Sequence, residues 1–279
     1  MKTTKDQLSI FDIVLKHDIN PDILPSEPKI KAEPKIIQPS GKNLCPYKIP
    51  AVADIIRLIE KSAYKINKSQ LISDVFECGA LAISNLVDFT KYDEREQRYL
   101  QIIKQYAPDE QKLIADVFAQ IFALCSSVTF DDGVFGDYLG ELFMKCNQGN
   151  KSKGQVFTPY NVSKLMAKIT ITDSDFKQNE IVPISDCCSG GGGLLLAALD
   201  VLKNDYGINY ARNCFIDAGD IDIRCVHMTY IALSLAGVPA IVKHQDSLSR
   251  QLWSVWRTPA YLMQYLRFRK FDTRQGDKL

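Results

Sequence analysis

Ile181-Val-Pro-Ile-Ser-Asp-Cys-Cys-Ser-Gly-Gly-Gly-Gly-Leu-Leu-Leu-Ala-Ala-Leu199 is the stretch that decides the fold. An apolar run ends in Asp186, breaks into glycines at 190–193 and resumes with Leu and Ala in helical composition, which predicts strand, tight turn and helix. Glycines there remove every Cβ between strand and helix. The backbone can take positive φ and approach a ligand, and the helix N-terminus presents free N–H groups. Asp186 is placed to accept hydrogen bonds from that ligand.

The plain alternative is a flexible glycine linker, but apolar flanks on both sides argue against it. A dinucleotide fingerprint needs Gly-x-Gly-x-x-Gly. Gly190 and Gly192 supply its first two positions, and Leu195 stands at the third. A phosphate loop would need Gly-Lys-Ser/Thr, which does not occur here. The reading left is a nucleoside cofactor without phosphates, such as S-adenosylmethionine.

Downstream, Asn213 to Ala218 reads as a second strand, closed by Gly219-Asp220-Ile221-Asp222. Ile223 to Leu235 reads as a helix ended by Gly237 and Pro239, and Ala240 to His244 as a third strand followed by Gln245-Asp246-Ser247-Leu248. Strand, helix, strand, helix, strand implies parallel pairing with right-handed crossovers, and ligands in such sheets bind beyond the carboxyl ends of the strands. Asp186, Asp220 and Asp246 stand at the three successive strand ends. A carboxylate after the second strand can accept both ribose hydroxyls, and one after the third an adenine amino proton. Solvated end caps are the alternative for each acid taken singly.

The 279 residues are 46% hydrophobic and 24% charged, enough for a sizeable core and two domains. A net charge of +1 means that affinity for nucleic acid has to be local. Eight cysteines without a Cys-x-x-Cys pair, and a start lacking an apolar signal core, predict reduced thiols in a soluble, cytoplasmic protein. No apolar run long enough for a membrane span stands out.

Residues 1–50 hold a short amphipathic piece, Gln7 to Lys16, then a Pro-rich, extended segment expected to be disordered. Residues 51–150 alternate apolar and charged positions at helical spacing and form a helical domain, with helices at 51–66, 69–89, 92–106, 109–127 and 135–146. A basic loop at 149–153 precedes Gly154-Gln155-Val156-Phe157-Thr158-Pro159. Pro159 opens a helix through Val162, Leu165 and Ile169, with Thr158 as its cap. Residues 151–250 form the cofactor-binding domain. Residues 251–279 read as a basic aromatic tail, with seven Arg and Lys against Asp272 and Asp277 from Arg250 onward. Trp253, Trp256, Tyr261, Tyr265 and Phe268 interleave with them, which suits either a nucleic-acid surface or an amphipathic helix packed on the domain.

Taken together, Gly154 to Pro159, Asp186 to Gly193, Asp220-Ile-Asp222 and Asp246-Ser-Leu248, behind a helical region, resemble the DNA adenine N6-methyltransferases of the type I restriction-modification M-subunit kind. The resemblance covers roughly residues 70–250. It implies a Rossmann-like α/β methyltransferase domain preceded by a helical domain. S-adenosylmethionine is the implied cofactor, with no metal; DNA and a specificity or other restriction-modification subunit are the implied partners. By the same resemblance Phe157, Thr158 and Pro159 wrap the methionine moiety, and Asp186, Gly190 and Gly192 shape the turn beneath it. Asp220 holds the ribose, Ile221 packs on adenine and Asp246 meets its amino group.

Two departures stand out. Cys187 replaces the family's proline, and the catalytic Asn-Pro-Pro followed by Phe or Tyr is absent from the sequence. In the family that motif accepts hydrogen bonds from the target amino group and stacks on a flipped base. Thr258-Pro259-Ala260-Tyr261 is the candidate substitute, with Thr258, Pro259 and Tyr261 in the catalytic role. Three readings result: an adenine N6-methyltransferase, a catalytically silent relative that binds DNA or a partner, and a methyltransferase acting on a small molecule.

Overall fold

The computed structural model describes residues 49–62, 66–130, 133–147, 156–172, 175 and 181–272. The segment expected to be disordered, up to residue 48, and the loop 149–153 with Gly154 lie outside the described residues. Pro50–Leu279 form one compact unit.

Among the described residues five helices come first: α1 (Val52–Ser62), α2 (Lys68–Asn85), α3 (Tyr92–Ile103), α4 (Pro108–Ser126) and α5 (Tyr138–Cys146). Local chemistry sets their starts. The Asn67 side chain accepts from the Ser69 and Gln70 N–H groups at α2. Pro108 fills the first position of α4, where no N–H is needed. Asp137 caps α5 through the Gly140 N–H.

One helix departs from the sequence reading. Pro108–Thr129 is long and apolar enough by composition to match a membrane span. Its Ile114, Val117, Phe118 and Ile121 are buried and it packs on α1 and α2, the behaviour of a core helix.

Helix α6 (Tyr160–Thr170) is followed by β1 (Val182–Asp186), α7 (Gly193–Asn204), β2 (Cys214–Asp220), α8 (Ile223–Leu235) and β3 (Ala240–Gln245). Strand β1 pairs parallel with β2, and β2 parallel with β3, as the alternation predicts. Strand β4 (Leu252–Arg257) then turns back and runs antiparallel along β3, giving the order β1-β2-β3-β4. Pro183, which has no N–H to give a ladder, sits in an edge strand. The end of α8 is set by Gly237 at φ 71°: the Val238 N–H returns to Leu233 O and the Gly237 N–H to Ser234 O.

The stretch 251–279, expected as a tail, is built into the domain as far as Asp272. Trp256 lies opposite Val242 in the sheet and packs against Tyr230 and His227 of α8, with Arg95 of α3 over its ring at 4.3 Å. Burial lowers His227 to about 4, so its imidazole is a neutral packing ring. Arg95 also pairs with Asp88 at 2.9 Å and donates to Val255 O at 3.0 Å, which ties the helical layer to β4. On the other face Tyr261 and Phe268 are fully buried against Phe215 and Ile241, and Phe271 stacks on Phe215 at 5.1 Å. Burying one such ring is worth roughly 1.5–3 kcal/mol. These aromatics are core, which is why the stretch reads as aromatic and yet offers little stacking surface.

Candidate functional site

The glycine turn leaves β1 at Asp186 and enters α7 at Gly193, at the carboxyl end of the parallel strands. Gly190 and Gly192 adopt φ 55° and 86°, the left-handed region a side chain disfavours, as the sequence implies. Gly191 and Gly193 are glycine for a different reason. A Cβ at residue 191 would lie 3.0 Å from Asp137 Oδ1, and one at residue 193 would lie 2.8 Å from Asp137 Oδ2.

Four other groups grip the turn. The Gly190 N–H donates to Asp220 Oδ2 at 2.9 Å. From α8 the buried Thr229 hydroxyl lies 3.1 Å from both the Gly190 carbonyl and the Ser189 hydroxyl. The Phe157 ring lies over Gly190, where a Cβ would meet it at 3.1 Å, and it leans on Phe143 of α5 at 5.7 Å. Ser247, after β3, donates to the Cys187 carbonyl at 2.7 Å. Each of these residues comes from a different part of the chain. Asp137, Thr229 and Phe143 carried no signal in sequence, because nothing local to them says that they face the turn.

Of the acids at the strand ends, Asp220 is the most enclosed. It accepts the Gly190 and Asp222 N–H groups at 2.9 Å each, which leaves lone pairs on a carboxylate with four. Burial pushes its carboxyl above the ordinary value, against the pull of backbone N–H groups at Asp222, Gly190 and Ile221. Beside it Ile221 is 63% exposed, an uncovered apolar surface, and its carbonyl meets His244 Nε2 at 3.2 Å. Trp253 lies against His244 with ring centroids 4.6 Å apart.

Asp246 is half-buried and accepts from the Leu248 and Ser249 N–H groups at 2.9 and 3.2 Å. The Ser249 side chain and those N–H groups hold its carboxyl below the ordinary value. Asp186 accepts from the Cys188 N–H at 3.0 Å. It also borders a mostly apolar cavity of about 430 Å³ along β1, lined among others by Met166, Ile171, Ile184 and Leu195. Thr158 and Pro159 are exposed at the start of α6. The expected Thr158 cap is not formed: Pro159 occupies the N-cap position and no side chain caps the helix.

Thr258, Pro259 and Tyr261 are elsewhere. Because β4 runs antiparallel, Arg257 pairs with Ile241 near the start of β3, and Thr258 follows it at the end of the sheet away from the turn. The Thr258 hydroxyl donates to Val238 O at 2.8 Å and accepts from the Ala240 N–H at 2.9 Å, fully buried. Tyr261 is fully buried as well, its hydroxyl 3.2 Å from Asp272. The expectation that these residues replace the missing motif is corrected: a ring sealed in the core cannot stack on a base.

No match to a curated protein was found. Two solved structures are similar in part. One is described as a class I S-adenosylmethionine-dependent methyltransferase from Listeria monocytogenes, at 17% identity and a TM-score of 0.35 over 67% of this chain and 56% of that one. The other is a type I restriction-modification system methyltransferase subunit from Streptococcus thermophilus, at 18% identity and a TM-score of 0.39 over 73% of this chain and 40% of that one. The chain thus spans little more than half of the first and less than half of the second. The model of the N-6 DNA Methylase family matches residues 131–271, half of the chain, and takes in α5 with Asp137, the gripped turn and all three acidic strand ends. The chain belongs to the N-6 DNA methylase family.

Proposed function

We propose that the chain binds S-adenosylmethionine for methyl transfer to adenine N6 in DNA, as the donor-binding part of a restriction-modification methyltransferase in the cytoplasm. The observation that carries this reading is the pairing of the gripped turn with Asp220 and Ile221. The backbone at Gly190 is held by Asp220, and the same carboxylate keeps lone pairs for vicinal hydroxyls. Ile221 offers an uncovered apolar face beside it for a purine. Glycines at φ 55° and 86° let the chain lie close under a bound molecule.

The bound donor supplies an electrophilic methyl group on a sulfonium. The chain's own part is to hold and orient it: Asp220 as acceptor, Ile221 and Phe157 as apolar walls, Asp246 near the purine amino group. The sequence has no Asn-Pro-Pro, and Thr258 and Tyr261 are buried at the opposite end of the sheet. That observation favours a second reading, in which the chain binds donor and transfers nothing unless residues from another subunit activate the target amino group.

Calorimetric titration with S-adenosylmethionine, then transfer of labelled methyl to unmethylated DNA with and without partner subunits, tests both. Binding with transfer supports the first reading, and binding without transfer the second. No binding would overturn the proposal.

A further inference from the structure

We propose that Asp137 is a positioning and specificity-determining residue of the glycine turn: its carboxylate fixes the backbone of Gly191 and Gly193 and lays negative charge against the N-terminal end of α7, so the turn rejects phosphate-bearing nucleotides. This inference rests on the reading that the turn holds S-adenosylmethionine.

A glycine turn entering a helix is ordinarily an anion site, because unpaired N–H groups and the helix dipole converge there. In this chain that end is occupied from behind. Asp137 Oδ1 and Oδ2 lie 3.0 and 2.8 Å from the positions that Cβ atoms of residues 191 and 193 would take. The carboxylate is pinned by the Gly140 N–H at 2.9 Å, so it does not swing away. The α7 N-cap is Gly192, which has no side chain to offer the helix an acceptor. Asp137, itself the N-cap of α5, thus stands at the beginning of two helices at once.

Among the described residues the charge balance around the turn points the same way. Asp186, Asp220 and Asp246 stand at the strand ends, and the nearby Arg224 is taken up by Asp222 through its Nε at 2.9 Å. A phosphate brought to this turn would meet carboxylates. A sulfonium with an ammonium group would meet charges of opposite sign. The two glycines are then part of a pair with Asp137: only residues without a Cβ leave room for the acid there.

The test is a competition at pH 8 between S-adenosylmethionine and 5′-AMP, which share adenosine and differ in the charge carried on the 5′ side. The wild-type chain is expected to prefer S-adenosylmethionine. Asp137→Asn keeps the size and the acceptor for the Gly140 N–H. It is expected to weaken S-adenosylmethionine and strengthen 5′-AMP, moving the ratio of dissociation constants on the order of tenfold. A variant that merely loosens the fold weakens both ligands alike and leaves the ratio in place.

The positional half is read by thermal unfolding without ligand. Gly193→Ala is expected to lower Tm in the wild-type background and to lower it much less beside Asp137→Gly, which removes Oδ2, Cγ and Cβ, the atoms 2.8, 2.9 and 3.0 Å from the added Cβ. An unmoved ratio in Asp137→Asn, or additive Tm losses in the double variant, would overturn the proposal. Wild-type binding of 5′-AMP as tight as that of S-adenosylmethionine would overturn it while leaving the donor-binding reading in place. Binding of neither ligand would remove both.

Discussion

The two ends of the sheet each carry polar and apolar side chains and do opposite work. At the carboxyl end, the enclosed Asp220 carboxylate keeps acceptor capacity beside the glycine turn, and Ile221 leaves an apolar face uncovered. At the other end, Thr258, Tyr261 and Phe268 are fully buried, and the Thr258 hydroxyl is bonded on both sides. A hydroxyl, an aromatic ring and a proline near a strand end therefore do not make a site. What makes one is capacity left unspent.

The sharpest way to break this contrast is to remove Tyr261. Tyr261→Ala opens a cavity among Phe215, Ile241 and Phe268, and the loss of such a ring is expected to cost about 3–5 kcal/mol in urea unfolding. Affinity for S-adenosylmethionine, titrated where the variant is folded, should stay unchanged. A loss of donor affinity much larger than the loss of folded protein would mean that the far end serves the site after all.

Asp220→Ala is the converse, and calorimetry should show about 1.5–3 kcal/mol less donor binding, since a charged acceptor is removed. Unchanged affinity would move the ribose elsewhere. Thr258→Val should cost about 1–2 kcal/mol of stability by stranding the Ala240 N–H, and it should leave methyl-donor titrations alone.

The smallest effect is in pH. The Asp220 carboxyl is raised in the folded chain by burial, so the folded state binds its proton more tightly than the unfolded chain does. As pH falls from neutral through that raised value towards the ordinary one, this group adds stability, and below both it adds no more. Donor affinity should fall over the same window, because the protonated acid has lost acceptor capacity. Opposite trends of stability and affinity, both abolished in Asp220→Asn, are the expected signature in paired urea and calorimetric series.

Much of the fold was legible because it is local. The strand, turn and helix around Asp186 and Gly190, and the parallel order of three strands, follow from apolar runs, glycine placement and the need for a crossover. The helical pattern of 51–147 follows from its spacing. Within the turn, Gly190 and Gly192 could be read as conformational necessities, and their positive φ agrees.

The glycines at 191 and 193 could not be read, because the cause lies some fifty residues upstream at Asp137. Residues 251–272 were hidden for a related reason: a strand's pairing partner and direction are not written in its own composition, and the reversal between Asp246 and Leu252 decides which end of the sheet Thr258 reaches. The sequence by itself determined that a glycine turn joins strand to helix and which acids follow each strand, since backbone conformation and strand ends are properties of neighbouring residues. Only the tertiary structure decided which groups grip the turn, and that Thr258 and Tyr261 belong to the core, because burial and close approach depend on residues brought together from distant parts of the chain.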